Sequence, residues 1–401
     1  MSVINRKRGA LIGLAVGDAM GASIEFRAPG AFEPVTTYRA GGPFNLEAGQ
    51  WTDDTSMALA LADSLGQGWD VNDQARRYLS WWQGGKYSVN GVCFDIGGTT
   101  LSGLSNFSKT GDATASGSQI GQGNGSIMRL SPVSIRYSSL IASDPARLAA
   151  LADATSAVTH ATAECRYAAR VLALILAGLI EGYTREQVLA PQGPVLSSVL
   201  SDTDMPPAIA QVAHGSYRNN NPPAIRGTGH VVKSLEASLW AFHDAADFSS
   251  AVLKAVNLGE DSDSTGAVTG QLAGAFFGET SIPADWLAGL ARKICGTANR
   301  CSKCQARRVD RRRRSVRRQS AGSAAVVGHG GGHRPRSRQR VGVRRSRASA
   351  GGAVTEVPHE VVGPVDAEAG EAHGLVLAHG QRRRGDTGHG HEDRLLDDDA
   401  D

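Results

Sequence analysis

Three pairs of acidic residues stand beside apolar stretches of this sequence: Asp18 and Glu25, Asp53 and Asp54, and Asp261 and Asp263. Seven positions separate Asp18 from Glu25, and seven helical steps of about 100° return almost to the same face of a helix. Hard divalent cations such as Mg²⁺ take carboxylate and hydroxyl oxygens as ligands, and two neighbouring ions need about four carboxylates to offset their charge. The sequence therefore supplies enough acids for a site that holds two cations.

Each of these acids, taken alone, has a simpler explanation. Asp near the start of a helix commonly caps free amides and interacts favourably with the helix dipole. Thr52, Asp53 and Asp54 precede an apolar run, so Thr52 is predicted to cap a helix whose first turn carries both acids. Capping does not explain why three acid pairs all lie next to apolar, buried helices, where unpaired charges are rare.

Two further segments have polar groups that suit an ion or a sugar. Asp261 and Asp263 are two residues apart and Ser264 follows them, a spacing that favours a loop wrapped around an ion over one face of a helix. Asp95 lies in a Gly- and Thr-rich stretch, where its carboxylate could orient a ribose hydroxyl or only cap the next turn.

A glycine-rich loop and a histidine are candidates for binding an anionic group. The loop Gly123–Ser126 precedes an apolar segment, so its amides could hold phosphate oxygens, although Gly-Asn-Gly is also common in tight turns. His160 precedes a long apolar segment, where an imidazole could meet a diphosphate or serve only the packing of the fold.

The elements that must position these groups are predicted to be helices. Apolar residues recur at helical spacing in eight segments: Arg8 to Ala22, Thr52 to Leu65, Val71 to Trp82, Pro145 to Ala157, Ala161 to Glu181, Val231 to Phe242, Ser250 to Val256 and Ser264 to Phe277. Stretches rich in Gly, Ser and Asn predict loops at Gly84 to Thr100, Gly111 to Ser126 and Tyr217 to Gly229. Alternating strand patterns are absent from the sequence, so we expect an all-α domain.

The composition changes sharply near residue 296. Residues 1–295 hold every Trp, Tyr and Phe and enough apolar material for one globular domain. Residues 296–401 are rich in Arg, Gly and Ala and contain no aromatic residue, so we predict a disordered tail. This tail is either a nucleic-acid-binding or regulatory extension, or the product of a shifted reading frame in a GC-rich gene. The second interpretation accounts better for the lack of any repeat.

Charge, cysteines and apolar runs narrow the class of protein. The net charge of +3 combines an Arg-rich stretch with a later acidic one, and it says little about partners. No run of eighteen apolar residues and no signal-like segment occurs, so we expect a cytoplasmic protein without a membrane span. The five cysteines are an odd number and fit reduced thiols; Cys301 and Cys304 have the spacing of half a zinc site without a second pair.

Seven segments, in this order, resemble the ADP-ribosylglycohydrolase family, in particular bacterial enzymes of the dinitrogenase-reductase-activating glycohydrolase type. They read GALIGLAVGDAMGASIEF, WTDDTSMALALADSL, CFDIGGTT, GNGSIMRLSPV, SAVTHAT, GTGHVVKSLEASLWAF and AVNLGEDSDSTGAVTGQLAGAFFG. The match extends over about Arg8 to Leu290. One such segment would be a weak signal, whereas seven in sequence are highly specific.

The resemblance implies a compact all-α domain with a binuclear metal site in a cleft. It implies that the metal ligands are Thr52, Asp53, Asp54, Asp261, Asp263 and Ser264. Glu25 and Asp95 would be the catalytic residues. The cleft for ADP-ribose would be lined by Asn124, Gly125, Ser126 and His160.

The sequence departs from the family pattern at three places. Ser264 stands where the family more often has Thr, which retains a hydroxyl, and His230 stands where a Tyr is more usual. After Lys293 the family would continue with a final helix, and this sequence instead enters the tail.

The function implied is a hydrolase that uses two Mg²⁺ or Mn²⁺ ions to remove ADP-ribose from a modified side chain, preferably arginine. Its partner would be an ADP-ribosylated protein or another ADP-ribose conjugate; serine-linked and small-molecule conjugates remain alternatives. A module that binds ADP-ribose without cleaving it is a rival, and the retained acids argue against it. A nucleic-acid-binding protein that uses Arg307 to Arg347 is a second rival, and we do not expect nucleic acid as the partner.

Overall fold

A computed structural model describes residues 1–291 of the chain, and in this part the regular elements are all helices. The α-helices are α1 (Val3–Gly21), α2 (Asp53–Leu65), α3 (Val71–Gly84), α4 (Gly98–Thr110), α5 (Ser131–Tyr137), α6 (Leu140–Ser143), α7 (Pro145–Ala157), α8 (Ala163–Glu181), α9 (Arg185–Leu189), α10 (Ser197–Leu200), α11 (Pro207–Ala213), α12 (Val231–Phe242), α13 (Phe248–Val256), α14 (Ser262–Phe277) and α15 (Ala284–Gly289). Within residues 1–291, β-type pairing is limited to isolated β-bridges. The predicted all-α fold is confirmed.

All eight helices predicted from apolar spacing are present, and α7 and α12 begin and end where the pattern places them. The prediction of a loop over Gly84 to Thr100 is wrong at its end, because α4 already begins at Gly98. Only one side of α4 is buried, so its apolar residues are too sparse to reveal a helix. The other helices without a prediction are short, with seven residues or fewer.

The helix that carries Asp18 does not continue as far as Glu25, so the two acids do not share a helical face. Helix α1 ends at Gly21, and the chain then turns, so that Phe26 has a φ of 62°. The amide of Phe26 donates to the carbonyl oxygen of Glu260 at 2.6 Å, and the amide of Glu260 donates to the carbonyl oxygen of Arg27 at 2.7 Å. This exchange joins the segment after Glu25 to the segment before α14 and replaces the hydrogen bonds of a longer helix.

Helices α1 and α14 make the most extensive pair in the described chain and touch through glycines four residues apart. Gly9, Gly13 and Gly17 of α1 lie opposite Gly274, Gly270 and Gly266 of α14. A Cβ on Gly270 would lie 2.0 Å from the carbonyl oxygen of Gly13, and a Cβ on Gly17 would lie 2.0 Å from that of Gly266. The two backbones are therefore in direct contact, and the order of the pairs shows that the helices run antiparallel.

Helix α8 lies in the core. All but five of its nineteen residues are buried, and it packs against α5, α7, α12 and α14. Although α8 is long and apolar, no helix within residues 1–291 meets the requirements for crossing a membrane. The predicted tail, the pair Cys301 and Cys304 and the Arg-rich segment lie outside the described residues.

The glycine contact generates a stability prediction. Gly270→Ala should lower the free energy of unfolding by about 3 kcal/mol, since a methyl group must push two backbones apart. For a domain of this size that corresponds to a melting temperature lower by roughly 5 to 10 °C. Thermal unfolding followed by circular dichroism measures the change.

The matched control is Gly84→Ala, at the last residue of α3. A Cβ on Gly84 meets nothing within 4 Å. Alanine there should leave the free energy of unfolding unchanged or raise it by up to about 1 kcal/mol, because it lowers the conformational entropy of the unfolded chain. Equal melting temperatures for the two variants would contradict direct backbone contact between α1 and α14.

Candidate active site

The N-terminal end of α2 is held by an aspartate from α1. Asp18 is fully buried, and its Oδ1 accepts from the amide of Thr52 at 2.8 Å. Its Oδ2 accepts from the amide of Thr55 at 3.0 Å and from the hydroxyl of Thr55 at 2.5 Å. Thr52 occupies the predicted N-cap position of α2, but its side chain makes no capping bond, and a carboxylate from another helix caps α2 instead.

The hydroxyl of Thr52 is turned toward a group of carboxylates instead. Its Oγ1 lies 3.0 Å from Asp18 Oδ1, 3.0 Å from Asp54 Oδ2 and 3.1 Å from Asp263 Oδ2. A hydroxyl carries a single proton, so it can satisfy only one of these three oxygens at a time. Asp18, Asp54 and Asp263 each place a carboxylate oxygen within 4.8 Å of the others.

A second acidic group shares Asp263 with the first. Glu25, Asp261 and Asp263 also have carboxylate oxygens within 4.8 Å of one another. Asp261 is the N-cap residue of α14, and its Oδ2 accepts from Asn124 Nδ2 at 2.6 Å. Asp263 lies in the first turn of that helix and is buried. One carboxylate therefore stands between two groups of acids, as a ligand common to two cations would.

Asp95 adds its carboxyl group to the cluster next to Asp53. Its φ of 57° is rare for a residue with a side chain, and its carboxyl group lies within hydrogen-bonding distance of Asp53. Two carboxyl groups this close share a proton or a cation, because two bare charges repel.

Burial and mutual repulsion dominate the electrostatics of this cluster. Burial raises the pKa of Asp18 to about 7, with a further contribution from the charge of Asp263. Burial, followed by neighbouring carboxylates, holds the pKa of Glu25, Asp53 and Asp54 well above the usual range. The same two causes raise the pKa of Asp95. Without positive charge among them, these groups resist carrying all of their charges together.

The cluster fits hard divalent cations on three observations. Its donors are all carboxylate and hydroxyl oxygens, which Mg²⁺ and Mn²⁺ prefer. Three buried oxygens, Asp54 Oδ1, Asp263 Oδ1 and Glu25 Oε2, lack a hydrogen-bond partner in the described chain. Ser264 adds a nearly buried hydroxyl beside Asp261. Buried polar atoms without a partner are costly, and cations would satisfy these.

The Gly123–Ser126 loop lies against the same acids, although not as a simple phosphate cradle. The amide of Asn124 donates to the carbonyl oxygen of Gly229 at 2.9 Å, and the amides of Ile127 and Met128 donate back to the carbonyl oxygen of Asn124. One amide of the loop and the two amides that follow it are therefore already used. The side chain of Asn124 bonds Asp261, and Ser126 is fully buried.

His160 lies behind this loop. Its side chain is 1% exposed, and a Cβ added to Gly125 would meet its Nε2 at 3.0 Å. The ring of His160 therefore packs against the backbone of the loop. The structure thus gathers Glu25, the acids of α2 and α14, Asp95 and Asn124 in one place. Gly125, Ser126 and His160 are buried next to Asn124.

Asp18 is the main site residue whose structural role the sequence did not reveal. Its signal was present, because an aspartate at the centre of the apolar segment GLAVGDAMG must find buried partners. Those partners, Thr52 and Thr55, are 34 and 37 residues away in the chain, and nothing in the spacing reveals them.

Comparison with known proteins decides the family. The family described as ADP-ribosylglycohydrolase matches residues 1–316. The chain belongs to this family. An ADP-ribosylarginine hydrolase Tri1 of Serratia proteamaculans is 38% identical over 294 residues, which cover 72% of this chain and 76% of that protein. Its namesake in Pseudomonas putida is 39% identical and covers 72% and 75%.

Two further comparisons agree with this ADP-ribosylglycohydrolase assignment. The ADP-ribosyl-[dinitrogen reductase] glycohydrolase of Rhodospirillum rubrum is 30% identical, over 73% of this chain and 92% of that protein. A solved structure described as an ADP-ribosylglycohydrolase-related protein complex is 38% identical, with a TM-score of 0.62, and covers 72% of this chain and 93% of that chain. The predicted family, fold and enzyme class are confirmed, and acidic groups that could hold a metal ion are present.

The acid cluster predicts an unusual response to substitution. Without divalent cations, Asp54→Asn should melt at a higher temperature than the wild type, because it removes one of several buried, repelling carboxyl groups. Added Mn²⁺ should raise the melting temperature of the wild type by roughly 5 to 10 °C, since saturation at about 100 times Kd contributes about 2.7 kcal/mol. Differential scanning fluorimetry with EDTA or Mn²⁺ measures both effects.

Asp204→Asn serves as the control, since Asp204 is exposed on the surface. It should behave as the wild type under both conditions. Two outcomes would contradict a cation site at Asp54. One is a wild-type melting temperature that does not change with Mn²⁺, and the other is an equal rise in melting temperature with Mn²⁺ for the wild type and Asp54→Asn.

Proposed function

We propose that this ADP-ribosylglycohydrolase cleaves the bond between ADP-ribose and the guanidine group of a modified arginine in a protein. The observation that carries the proposal is the shared carboxylate Asp263, which lies between two groups of buried acids with unpartnered oxygens. Two relatives with 38% and 39% identity are named as ADP-ribosylarginine hydrolases, which favours arginine over serine as the linked residue.

We assign two divalent cations, Mg²⁺ or Mn²⁺, to the acid cluster. Their ligands would come from Thr52, Asp53, Asp54, Asp261, Asp263 and Ser264. Bound there, such ions supply positive charge that offsets the carboxylates and favours negative charge on substrate oxygens. Asp18 keeps the end of α2 in place through Thr52 and Thr55.

The reaction exchanges one bond at the anomeric carbon of the ribose. A water oxygen forms a bond to that carbon as the bond to the arginine nitrogen breaks. The carboxylate of Asp95 or Glu25 accepts a proton from the water, and that proton passes to the departing guanidine nitrogen. Both groups suit this task, because burial among other acids raises their pKa and makes their neutral form accessible.

A module that binds ADP-ribose without hydrolysing it is less well supported. Such a module would have no need for a group of repelling carboxylates, which costs stability. This chain retains that group in full, with Glu25, Asp54 and Asp263 buried and an oxygen of each unpartnered.

The substrate assignment is tested with two substrates that differ only in linkage. A protein modified on arginine and a protein modified on serine are incubated with the full chain and Mg²⁺ or Mn²⁺, and released ADP-ribose is measured by chromatography. We expect kcat/KM for the arginine linkage to exceed that for the serine linkage by at least about 100-fold, equivalent to about 2.7 kcal/mol in transition-state binding. Equal rates, or a preference for serine, would reject the assignment.

The cation assignment has its own test. Asp263→Ala should lower kcat by about 10³-fold or more, because it removes the carboxylate common to both acid groups. Circular dichroism should show that the variant remains folded. EDTA should abolish wild-type hydrolysis and excess Mg²⁺ or Mn²⁺ should restore it. Full activity in excess chelator, or wild-type rates for Asp263→Ala, would refute the two-cation site.

A further inference from the structure

A buried arginine underlies the Gly123–Ser126 loop. Arg129 is fully buried, and within residues 1–291 its guanidinium forms no ion pair with a carboxylate. It bonds neutral groups instead: Nε donates to the hydroxyl of Tyr78 at 3.2 Å, Nη1 to the carbonyl oxygen of Gly125, and Nη2 to Thr159 Oγ1 at 2.6 Å. A buried charge is costly unless it is well bonded, so these contacts have to be kept.

The contact with Thr159 fixes the direction of the next hydrogen bond. Arginine only donates, so the hydroxyl oxygen of Thr159 is an acceptor in this pair. The same oxygen lies 2.8 Å from His160 Nδ1. Thr159 is fully buried, and its proton has Nδ1 as its acceptor; if Nδ1 carried a proton, the hydroxyl proton would be left without one. Thr159 therefore donates to Nδ1.

It follows that His160 carries its proton on Nε2. Burial and the charge of Arg129 hold the pKa of His160 well below its usual range, so the ring is neutral. A neutral imidazole with an acceptor at Nδ1 is a donor at Nε2. That nitrogen faces the loop, since a Cβ on Gly125 would lie 3.0 Å from it and one on Gly123 would lie 3.4 Å from it.

We propose that Arg129, acting through Thr159, is a positioning residue that fixes His160 as the Nε2–H tautomer beneath the Gly123–Ser126 loop. One end of the guanidinium holds the carbonyl oxygen of Gly125 and the other sets the direction of the hydrogen bond to the histidine. The Nε2–H group of His160 is then ready to donate to an anionic oxygen of ADP-ribose, and the Gly123–Ser126 loop is already held in place. This last step rests on the proposed function; the tautomer itself does not.

The tautomer is observed without any substrate. The full chain is labelled with ¹⁵N-histidine, and the His160 resonances are assigned by comparison with His160→Gln. In the wild type, Nε2 should show the shift of a protonated nitrogen and Nδ1 that of an unprotonated acceptor. A protonated Nδ1, or a charged ring at neutral pH, would overturn the proposal whatever the enzyme hydrolyses.

Two substitutions at Thr159 then link the tautomer to binding. Thr159→Val keeps the shape and removes the hydroxyl, whereas Thr159→Ser keeps the hydroxyl. With Mg²⁺ present, Thr159→Val should weaken ADP-ribose binding in calorimetry, and raise KM, by about tenfold, while kcat changes by less than about threefold. Thr159→Ser should stay within about twofold of the wild type and retain its ¹⁵N pattern.

The outcomes separate this proposal from a purely structural role. A loss of stability with unchanged affinity in the folded fraction of Thr159→Val would overturn it, as would equal losses in Thr159→Val and Thr159→Ser. A wild type that shows the expected tautomer but releases no ADP-ribose from modified arginine would reject the proposed function and leave the tautomer established.

Discussion

The direct backbone contact between α1 and α14 sets the dimensions of the site. Packed helices usually stand 8 to 10 Å apart, and facing glycines allow the closest approach. Because the helices run antiparallel, the end of α1 meets the start of α14, and a Cβ on Gly21 would lie 2.4 Å from the amide nitrogen of Asp263. Asp18 and Asp263 reach each other only at this separation.

The same contact helps to explain how the fold tolerates a costly site. Several carboxyl groups lie buried together, and Asp95 and Glu260 both have left-handed backbone, with φ values of 57°. Each of these features opposes folding. The rows of glycine contacts and the largely buried α8 stabilise the surroundings, so that repulsion and strain remain confined to the ends of α1, α2 and α14 and to the segment before α4. Cations at the cluster would then stabilise the folded enzyme as well as act in it.

Helices such as α8 and α12 were predictable because they are buried on most sides and therefore have many apolar residues. Helix α4 was not predicted, because it buries few residues and therefore has few apolar residues at helical spacing. Among site residues, the acids were predictable from their types, whereas the partners of Asp18 were not, since they depend on the packing of α1 against α2. Arg129 gave no signal at all, because an arginine in a sequence normally indicates a surface and only the fold shows it buried.

The hydrogen bonds of Asp18 separate its role from those of its neighbours. Asp18, Asp54 and Asp263 stand close enough to hold one ion, yet Asp18 already accepts two amide hydrogens and the hydroxyl of Thr55. These three hydrogen bonds use most of the lone pairs of the Asp18 carboxylate, and they hold the start of α2, which carries Asp53 and Asp54. The other two acids keep one unpartnered oxygen each. Asp18 therefore holds the start of α2 in place, and under the proposed function the unpartnered oxygens of Asp54 and Asp263 would be the ones that face the ion.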